Sequence, residues 1–340
     1  MEEKEVLVII PAYNEAANIG KVLDQLEKPE ISDIADILVM NDASVDSTNW
    51  LVKARGHAVV THVFNLGYGS GIQLGYKYAV RRGYKYVIQM DADGQHDVCN
   101  IPLIYNRLRQ KDEDGRYPDI VLGSRFMEGS GDYQVSFAKR LAFKLFRFMM
   151  KVASGREFAD PTTGLQGLSR KAVLYYSQYN HFDDKYPDTN MIMQMVLLKF
   201  KVVEMPAVMH LRTSGVSMHS GLKPIWYMLR MFFSVLAVIF RCKVLKVDEN
   251  IGLKDIDIKS FINDSLTYND SKTLFKDNPL FNLNIDNKNN KDEIELKFDF
   301  EIEKPNFKYN GIKKEDMQTA FNLLAKYNIT NQTVYIDNIS

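Results

Sequence analysis

The chain is expected to fold as an α/β protein whose core is a doubly wound, mostly parallel sheet with helices on both faces. Three observations lead there. Its first hundred residues alternate short apolar runs with amphipathic stretches, the pattern of successive βαβ units. The apolar runs are continuous, as strands covered on both faces require. A polar cluster follows at the carboxyl end of several runs, where open parallel sheets bind their ligands.

Val6 to Ile10 is the first buried strand, and Pro11-Ala12-Tyr13-Asn14-Glu15 closes it with a loop. Ala16 to Glu27 carries helical spacing through Ile19, Val22, Leu23 and Leu26. Asp36 to Met40 is a second strand, ending at Asn41-Asp42-Ala43-Ser44; Asp46-Ser47-Thr48 then has the composition of a helix cap. Ala58 to Phe64 reads as a third strand, followed by glycine-rich Asn65 to Gly71 and a helix over Gly71 to Arg82. Backbone amides in such a glycine-rich loop can approach phosphate, although Rossmann spacing and the Walker Lys-Ser/Thr pair are both missing. The fourth strand runs from Tyr86 into Asp91-Ala92-Asp93-Gly94-Gln95-His96. In an extended segment, residues i and i+2 point the same way, so Asp91 and Asp93 are expected to face one ligand or one ion. Hard carboxylate oxygens favour Mg2+ or Mn2+, with phosphates completing the shell.

The order of these motifs resembles family 2 glycosyltransferases of the GT-A fold, and within them the dolichyl-phosphate mannose synthase-like branch, over residues 5 to 240. The resemblance implies a Rossmann-like sheet and a nucleotide-diphosphate sugar as donor. It implies that Pro11, Ala12, Tyr13 and Glu15, with Asp42, hold the base and ribose. Gly69 belongs to the same donor set, Asp91 and Ala92 serve the ribose side, and Asp91, Asp93 and Gln95 hold the metal and diphosphate. Asn41 stands where the family more often has a second acid. Singly, these residues have ordinary readings as packing aromatics and helix caps.

Further on, Asp119 to Arg125 is another short strand, and its Gly-Ser-Arg end resembles the segment that follows the metal motif in this branch; Arg125 is expected either on phosphate or in an ion pair. Ser136 to Lys151 is a basic amphipathic helix with Phe137, Leu141, Leu145 and Phe148 on one face. Leu222 to Lys243 adds Trp226, Tyr227 and a long apolar stretch between cations. Both suit a membrane surface carrying an anionic lipid, or alternatively packing on the sheet and an oligomer contact. By resemblance, Asp160 and Gly164 belong to the acceptor side, with Asp160 among the catalytic residues. Asp188 falls where family members carry the base that deprotonates an acceptor hydroxyl, and helix capping is its simpler role. Arg212-Thr-Ser-Gly-Val-Ser217 resembles the element that supplies charge for diphosphate departure; His219, just beyond it, is a metal ligand or a surface histidine.

Globally the chain is ordinary: 340 residues, 46% hydrophobic, 25% charged, with 43 basic and 43 acidic residues. That balance gives no reason to expect nucleic acid. Cys99 and Cys242 are too few for a disulfide framework. The acidic Met1 to Glu5 is not a secretory leader, and the apolar run Met231 to Phe240 falls short of the roughly 20 residues a membrane span needs. A cytoplasmic enzyme peripheral to the inner membrane face is therefore expected, with residues 1–220 forming the transferase domain and 221–247 an interfacial helix. Residues 248–290 read as a polar Asn/Asp/Lys linker, and 291–340 as a small α+β appendage with a strand over Lys291 to Glu303 and a helix over Lys313 to Tyr327. The acceptor is expected to be a polyprenyl phosphate or a cell-surface glycan. A sugar-1-phosphate nucleotidyltransferase and a non-catalytic nucleotide-sugar sensor are the other readings.

Overall fold

A computed structural model of the chain describes residues 4–130, 137–210 and 223–254, together with four strands of the C-terminal region. The core is a seven-stranded sheet. Its strands are β1 (Val6–Ala12), β2 (Ala35–Asn41), β3 (Ala58–Thr61), β4 (Tyr86–Gln89), β5 (Ile120–Ser124), β6 (Gln166–Ser169) and β7 (Val202–Pro206), in the order β3-β2-β1-β4-β6-β5-β7. Six strands run in one direction, and β6 runs antiparallel to both β4 and β5.

That one reversal positions the site. Because β6 points backwards, the segment leading into it arrives at the edge where β1, β2, β4 and β5 end. Polar residues from 160–165 thereby join those after the parallel strands. No strand was expected at β6 or β7.

Helices cover both faces. Against one lie α1 (Ile19–Leu26), α2 (Pro29–Ser32), α3 (Thr48–Ala54) and α5 (Asn100–Leu108), where Leu23, Leu26, Val52 and Ile104 pack on Val8, Ile10 and Val39. Against the other lie α4 (Tyr68–Arg82), α6 (Phe137–Ser154), α7 (Arg170–Ser177), α8 (Thr189–Leu197) and α9 (Lys223–Ile239), closing on Leu7, Ile9 and Met40. The continuous burial of Val6 to Ile10 is what a parallel strand covered on both faces shows.

Several boundaries differ from the expectation. β3 stops at Thr61, and α4 begins at Tyr68, so Gly69 and Gly71 lie in the first turn of a helix and not in a loop before it. A Cβ on Gly69 would sit 2.1 Å from the Asp183 carbonyl oxygen. Only glycine lets α4 meet the 183–184 backbone, whose Asp184 carbonyl accepts from the Ser70 amide at 2.8 Å. β4 ends at Gln89, so Asp91 and Asp93 sit in the following turn, and the period-2 argument for their common direction does not apply. In α6 the residues turned to the core are Ala142, Phe146, Met149, Met150 and Ala153; Leu145 and Phe148, placed by periodicity on the apolar face, are exposed.

In the C-terminal region, β8 (Asn282–Ile285), β9 (Glu293–Asp299), β10 (Ala325–Asn328) and β11 (Thr333–Ile336) form an antiparallel sheet in the order β11-β10-β9-β8. β9 falls within the expected Lys291 to Glu303 strand. β10, in contrast, takes over the end of the expected Lys313 to Tyr327 helix, and β8 lies inside the expected polar linker. Arg212, Ser217 and His219 lie outside the described residues.

Gly69→Ala is expected to push the 183–188 loop off α4 and cost about 1–3 kcal/mol, read as a lower urea midpoint at unchanged slope.

Candidate active site

The loops after β1 and β2 are sewn to each other. The Asn14 amide donates to Ser44 Oγ at 2.9 Å and Asn14 Oδ1 accepts from the Val45 amide at 2.9 Å. Asp46 Oδ2 accepts from the Ala16 amide at 3.0 Å, and the Glu15 amide donates to Thr48 Oγ1 at 2.9 Å. Asp46 thus serves both its own helix and the neighbouring loop, which a local capping pattern does not reveal. The left-handed backbone of Asn14 (φ 54°) and Ala43 (φ 57°) is held by this lacing. Tyr13, 46% exposed, stands at the edge of the site, while Pro11 and Ala12 are buried as the last residues of β1. Glu15 accepts from Asn18 Nδ2 at 2.7 Å.

Asp42, expected to hold the base, anchors a turn. Its Oδ1 receives the Leu66 amide at 2.8 Å and lies 2.7 Å from His62 Nδ1, and its Oδ2 receives the Gly67 amide at 2.9 Å. Both carboxylate oxygens therefore help to fasten the Leu66-Gly67 turn ahead of α4. Asp42 is placed as the anchor of that turn, and His62 is a member of the site that sequence reasoning missed. Gly69 makes no phosphate cradle: its place is filled by the 183–184 backbone.

Asp91 is held from below by a directed chain of hydrogen bonds. Tyr76 donates to Gln89 Oε1 at 2.7 Å; Gln89 Nε2 donates to the Tyr68 oxygen and to the Gly164 carbonyl, both at 3.1 Å; and Tyr68 donates to Asp91 Oδ1 at 2.8 Å. Burial, reinforced by the Asp91 charge, drives the Tyr68 phenol well above its ordinary pKa, so it remains a donor. Asp91 Oδ2 faces Gly164, where any Cβ would approach it to 3.0 Å. The Asp91 amide donates to His96 Nδ1 at 3.0 Å, which leaves Nε2 as the nitrogen that carries the proton, 3.7 Å from Asp91 Oδ2. Asp93 Oδ1 accepts from the Gln95 amide at 3.0 Å and so shapes the turn that carries Ala92 and Gln95. Neither Tyr68 nor His96 is singled out by the sequence motifs; Tyr68 lies in the glycine-rich stretch, and its reach to Asp91 leaves no local pattern.

At the approach to β6, Arg125 and Asp160 meet each other. Arg125 Nε lies 2.6 Å from Asp160 Oδ2 and its terminal nitrogen 2.7 Å from Oδ1, a bidentate pair with the Asp160 side chain fully buried. Glu204 of β7 accepts the Ala159 and Asp160 amides, both at 2.7 Å. Of the two expectations for Arg125, the structure favours the ion pair, in buried form. Asp160, expected as catalytic, is instead a buried partner that positions the strand approach and is not open to substrate.

Asp188 occupies the N-cap position of α8, yet its side chain does not cap. It receives the Tyr227 hydroxyl of α9 and lies within electrostatic range of Arg125 and Asp160. Burial pushes its carboxyl up to about 6, against the pull of Tyr227 and Arg125. Beside it is a shallow cleft lined by Asp183, Tyr186, Tyr227, Arg230, Met231 and Ser234. The structure therefore brings Arg125, Asp160 and Asp188 into one cluster at the edge that also bears Asp91.

Among the described residues, no three His, Cys, Asp or Glu side chains converge as a closed metal site. The donors on offer are the hard oxygens of Asp91 and Asp93, which suits an ion that takes most of its shell from phosphate and water.

Residues 7–176 match glycosyl transferase family 2, and the chain belongs to that family. It is a glycosyltransferase with a mixed α/β fold of the GT-A type. Among curated relatives, the undecaprenyl-phosphate mannosyltransferase of Micrococcus luteus is 27% identical over 225 residues, 64% of this chain and 88% of its own length. The dolichol-phosphate mannosyltransferase of Pyrococcus furiosus is 28% identical over 242 residues, 68% of this chain and 64% of its own. Glucosyl-3-phosphoglycerate synthase from Mycobacterium tuberculosis, solved with Mn2+, UDP-glucose and phosphoglyceric acid, shares the fold at a TM-score of 0.52 and 17% identity, over 69% of this chain and 80% of its own.

Arg125→Ala leaves the Asp160 carboxylate buried without its partner and is expected to cost about 3–5 kcal/mol of stability. The double variant Arg125→Met, Asp160→Leu removes both charges and is expected to recover a large part of that loss in chemical denaturation.

Proposed function

We propose that the protein transfers a sugar from a nucleotide-diphosphate sugar to a polyprenyl phosphate at the cytoplasmic face of a membrane, with inversion at the anomeric carbon. The carrying observation is the convergence, on one sheet edge, of the loops after β1, β2 and β4 with the 160–165 approach to β6. Relatives named as undecaprenyl-phosphate and dolichol-phosphate mannosyltransferases support the choice of acceptor. In this reading the exposed Tyr13 ring lies against the base and Glu15 serves the ribose. Asp91, directed by Tyr68, and Asp93 with Gln95 hold a Mg2+ or Mn2+ ion, which when bound neutralises charge on the diphosphate. An oxygen of the acceptor phosphate attacks the anomeric carbon as its bond to the donor diphosphate breaks, and the nucleoside diphosphate leaves. The attacking oxygen is already anionic, so no base is required. By the resemblance of its motif, Arg212 would supply positive charge for diphosphate departure.

Asp93→Ala is expected to abolish transfer of radiolabelled sugar to polyprenyl phosphate. It is also expected to remove the rise in melting temperature produced by UDP- or GDP-sugar with Mn2+. Normal turnover in this variant would falsify the assignment.

One observation favours a second acceptor. The Asp188 carboxyl, released from capping and with its pKa raised to about 6, has the character of a general base for a sugar hydroxyl. Asp188→Asn separates the two. With a phosphate acceptor, the variant keeps most of its kcat; with a hydroxyl acceptor it loses about 10²–10⁴-fold, together with the acid limb of kcat/KM near pH 6. The same variant has a stability signature. In the folded protein Asp188 holds its proton up to about pH 6, against a reference value of 3.8. Stability therefore falls as pH rises through that window, and Asp188→Asn is expected to flatten the fall.

A further inference from the structure

A buried amide outside the sequence motifs ties the turn after β4 to the chain that leaves β7. Asn100, the first residue of α5, is fully buried. Asparagine at the start of a helix ordinarily caps the helix amides, but none of the three hydrogen bonds of this side chain goes to α5. Its Nδ2 donates to the Asp97 carbonyl and to the Val208 carbonyl, both at 2.8 Å, and its Oδ1 accepts the Val208 amide at 2.9 Å. Aspartate has the same size, yet it would present oxygen to two carbonyls where donors are needed.

Around Asn100 the two segments form a short ladder. The Asp97 amide donates to the Val208 carbonyl at 3.3 Å and the His210 amide to the Gln95 carbonyl at 2.7 Å, while His96 and Met209 stand opposite each other as an antiparallel bridge. At the solvent side, His210 Nε2 lies 2.7 Å from Asp97 Oδ2, with the His210 side chain 54% exposed. The two rails differ in support. Residues 207–210 continue directly from β7, and the Ala207 amide donates to the Ser124 carbonyl at the end of β5 at 3.0 Å. Residues 91–97 belong to the turn between β4 and α5. The extension of β7 is thus the reference, and the turn is what it holds. Gln95 stands at the join: its carbonyl takes the His210 amide, and its own amide donates to Asp93 Oδ1 at 3.0 Å. A shift of the ladder therefore reaches Asp93 through a single residue.

We infer that Asn100 and His210 are positioning residues for the metal turn, acting through the 207–210 segment to hold Gln95 and Asp93 in the arrangement that receives Mg2+ or Mn2+ with the donor diphosphate. The inference rests on the proposed function, which puts the ion at that turn, and adds to it two residues that lie in none of the donor-side motifs. Removing a group that orients the residues around a metal ion typically costs about 10–100-fold in metal affinity.

The test is calorimetric titration of the full chain with UDP and with GDP, each without metal and with saturating Mn2+; the ratio of the two dissociation constants is the gain that the ion contributes. Asn100→Asp is expected to cut that gain by about tenfold or more and His210→Ala to cut it by less, with metal-free nucleotide affinity unchanged in both. Asn100→Asp also lowers the melting temperature, as it would if the asparagine were only structural; a loss confined to the Mn2+ gain is what a structural role does not produce. His210→Ala, at an exposed position, keeps the melting temperature and reads the ladder without a folding defect. A wild-type Mn2+ gain in folded Asn100→Asp, or in His210→Ala if Asn100→Asp does not fold, would overturn the inference, as would an equal loss of metal-free binding. Asp93→Ala tells the two readings apart. If it abolishes the Mn2+ gain while the ladder variants keep it, the metal turn stands and the role of the ladder falls; no Mn2+ gain in the wild-type protein overturns both.

Discussion

The approach to β6 depends on one buried ion pair. β6 enters the sheet against the direction of both its neighbours, so the approach to it has to be fixed at the edge where the other strands end. Arg125, at the end of β5, grips both oxygens of Asp160, and Glu204 of β7 takes the two backbone amides at 159 and 160. Desolvating two carboxylates and a guanidinium is costly, and the bidentate geometry and paired amides offset it. With that approach fixed, Gly164 is delivered beside Asp91, and Gln89 can reach its carbonyl to orient Tyr68.

What the sequence revealed follows from this arrangement. β1, β2, β4 and β5 were legible because both faces of each are covered, which leaves an uninterrupted apolar run. β6 was not. Gln166-Gly167-Leu168-Ser169 has no run and no alternation, because α5 lies so close that a Cβ on Gly167 would fall 2.1 Å from Ile104 Cγ2. An edge strand such as β7, with Glu204 turned to a polar partner, offers equally little period. The donor-side residues were legible as an ordered set of motifs, yet their individual tasks were not. Asp42 looks the same in sequence whether it reads a base or anchors the Leu66-Gly67 turn.

The glycine-rich stretch shows why composition alone misled. Glycines before a helix invite a phosphate because they leave backbone amides open. Here the opening is filled from within: Asp184 accepts the Ser70 amide, and Gly69 admits the 183–184 backbone. The stretch joins donor and acceptor halves, since the loop that it receives continues into Asp188. Tyr68 lies in the same turn and reaches Asp91, so α4 touches both halves within three residues. The pairing of Ser70 with Asp184, 114 residues apart, leaves no local trace in either segment.

That junction also explains how unlike the two halves are. The loops after β1 and β2 and the turn before α4 are laced by hydrogen bonds to backbone amides. Asp188, by contrast, is set by the Tyr227 hydroxyl of α9, the Thr189 amide and charges at a distance. Its carboxyl pays for burial with a pKa of about 6 because few donors stabilise its ionised form. A displacement of α9 that withdraws the Tyr227 hydroxyl removes its strongest stabilising contact and favours the neutral acid. The loops after β1 and β2 are therefore held by many backbone bonds, whereas the ionisation of Asp188 follows the position of α9.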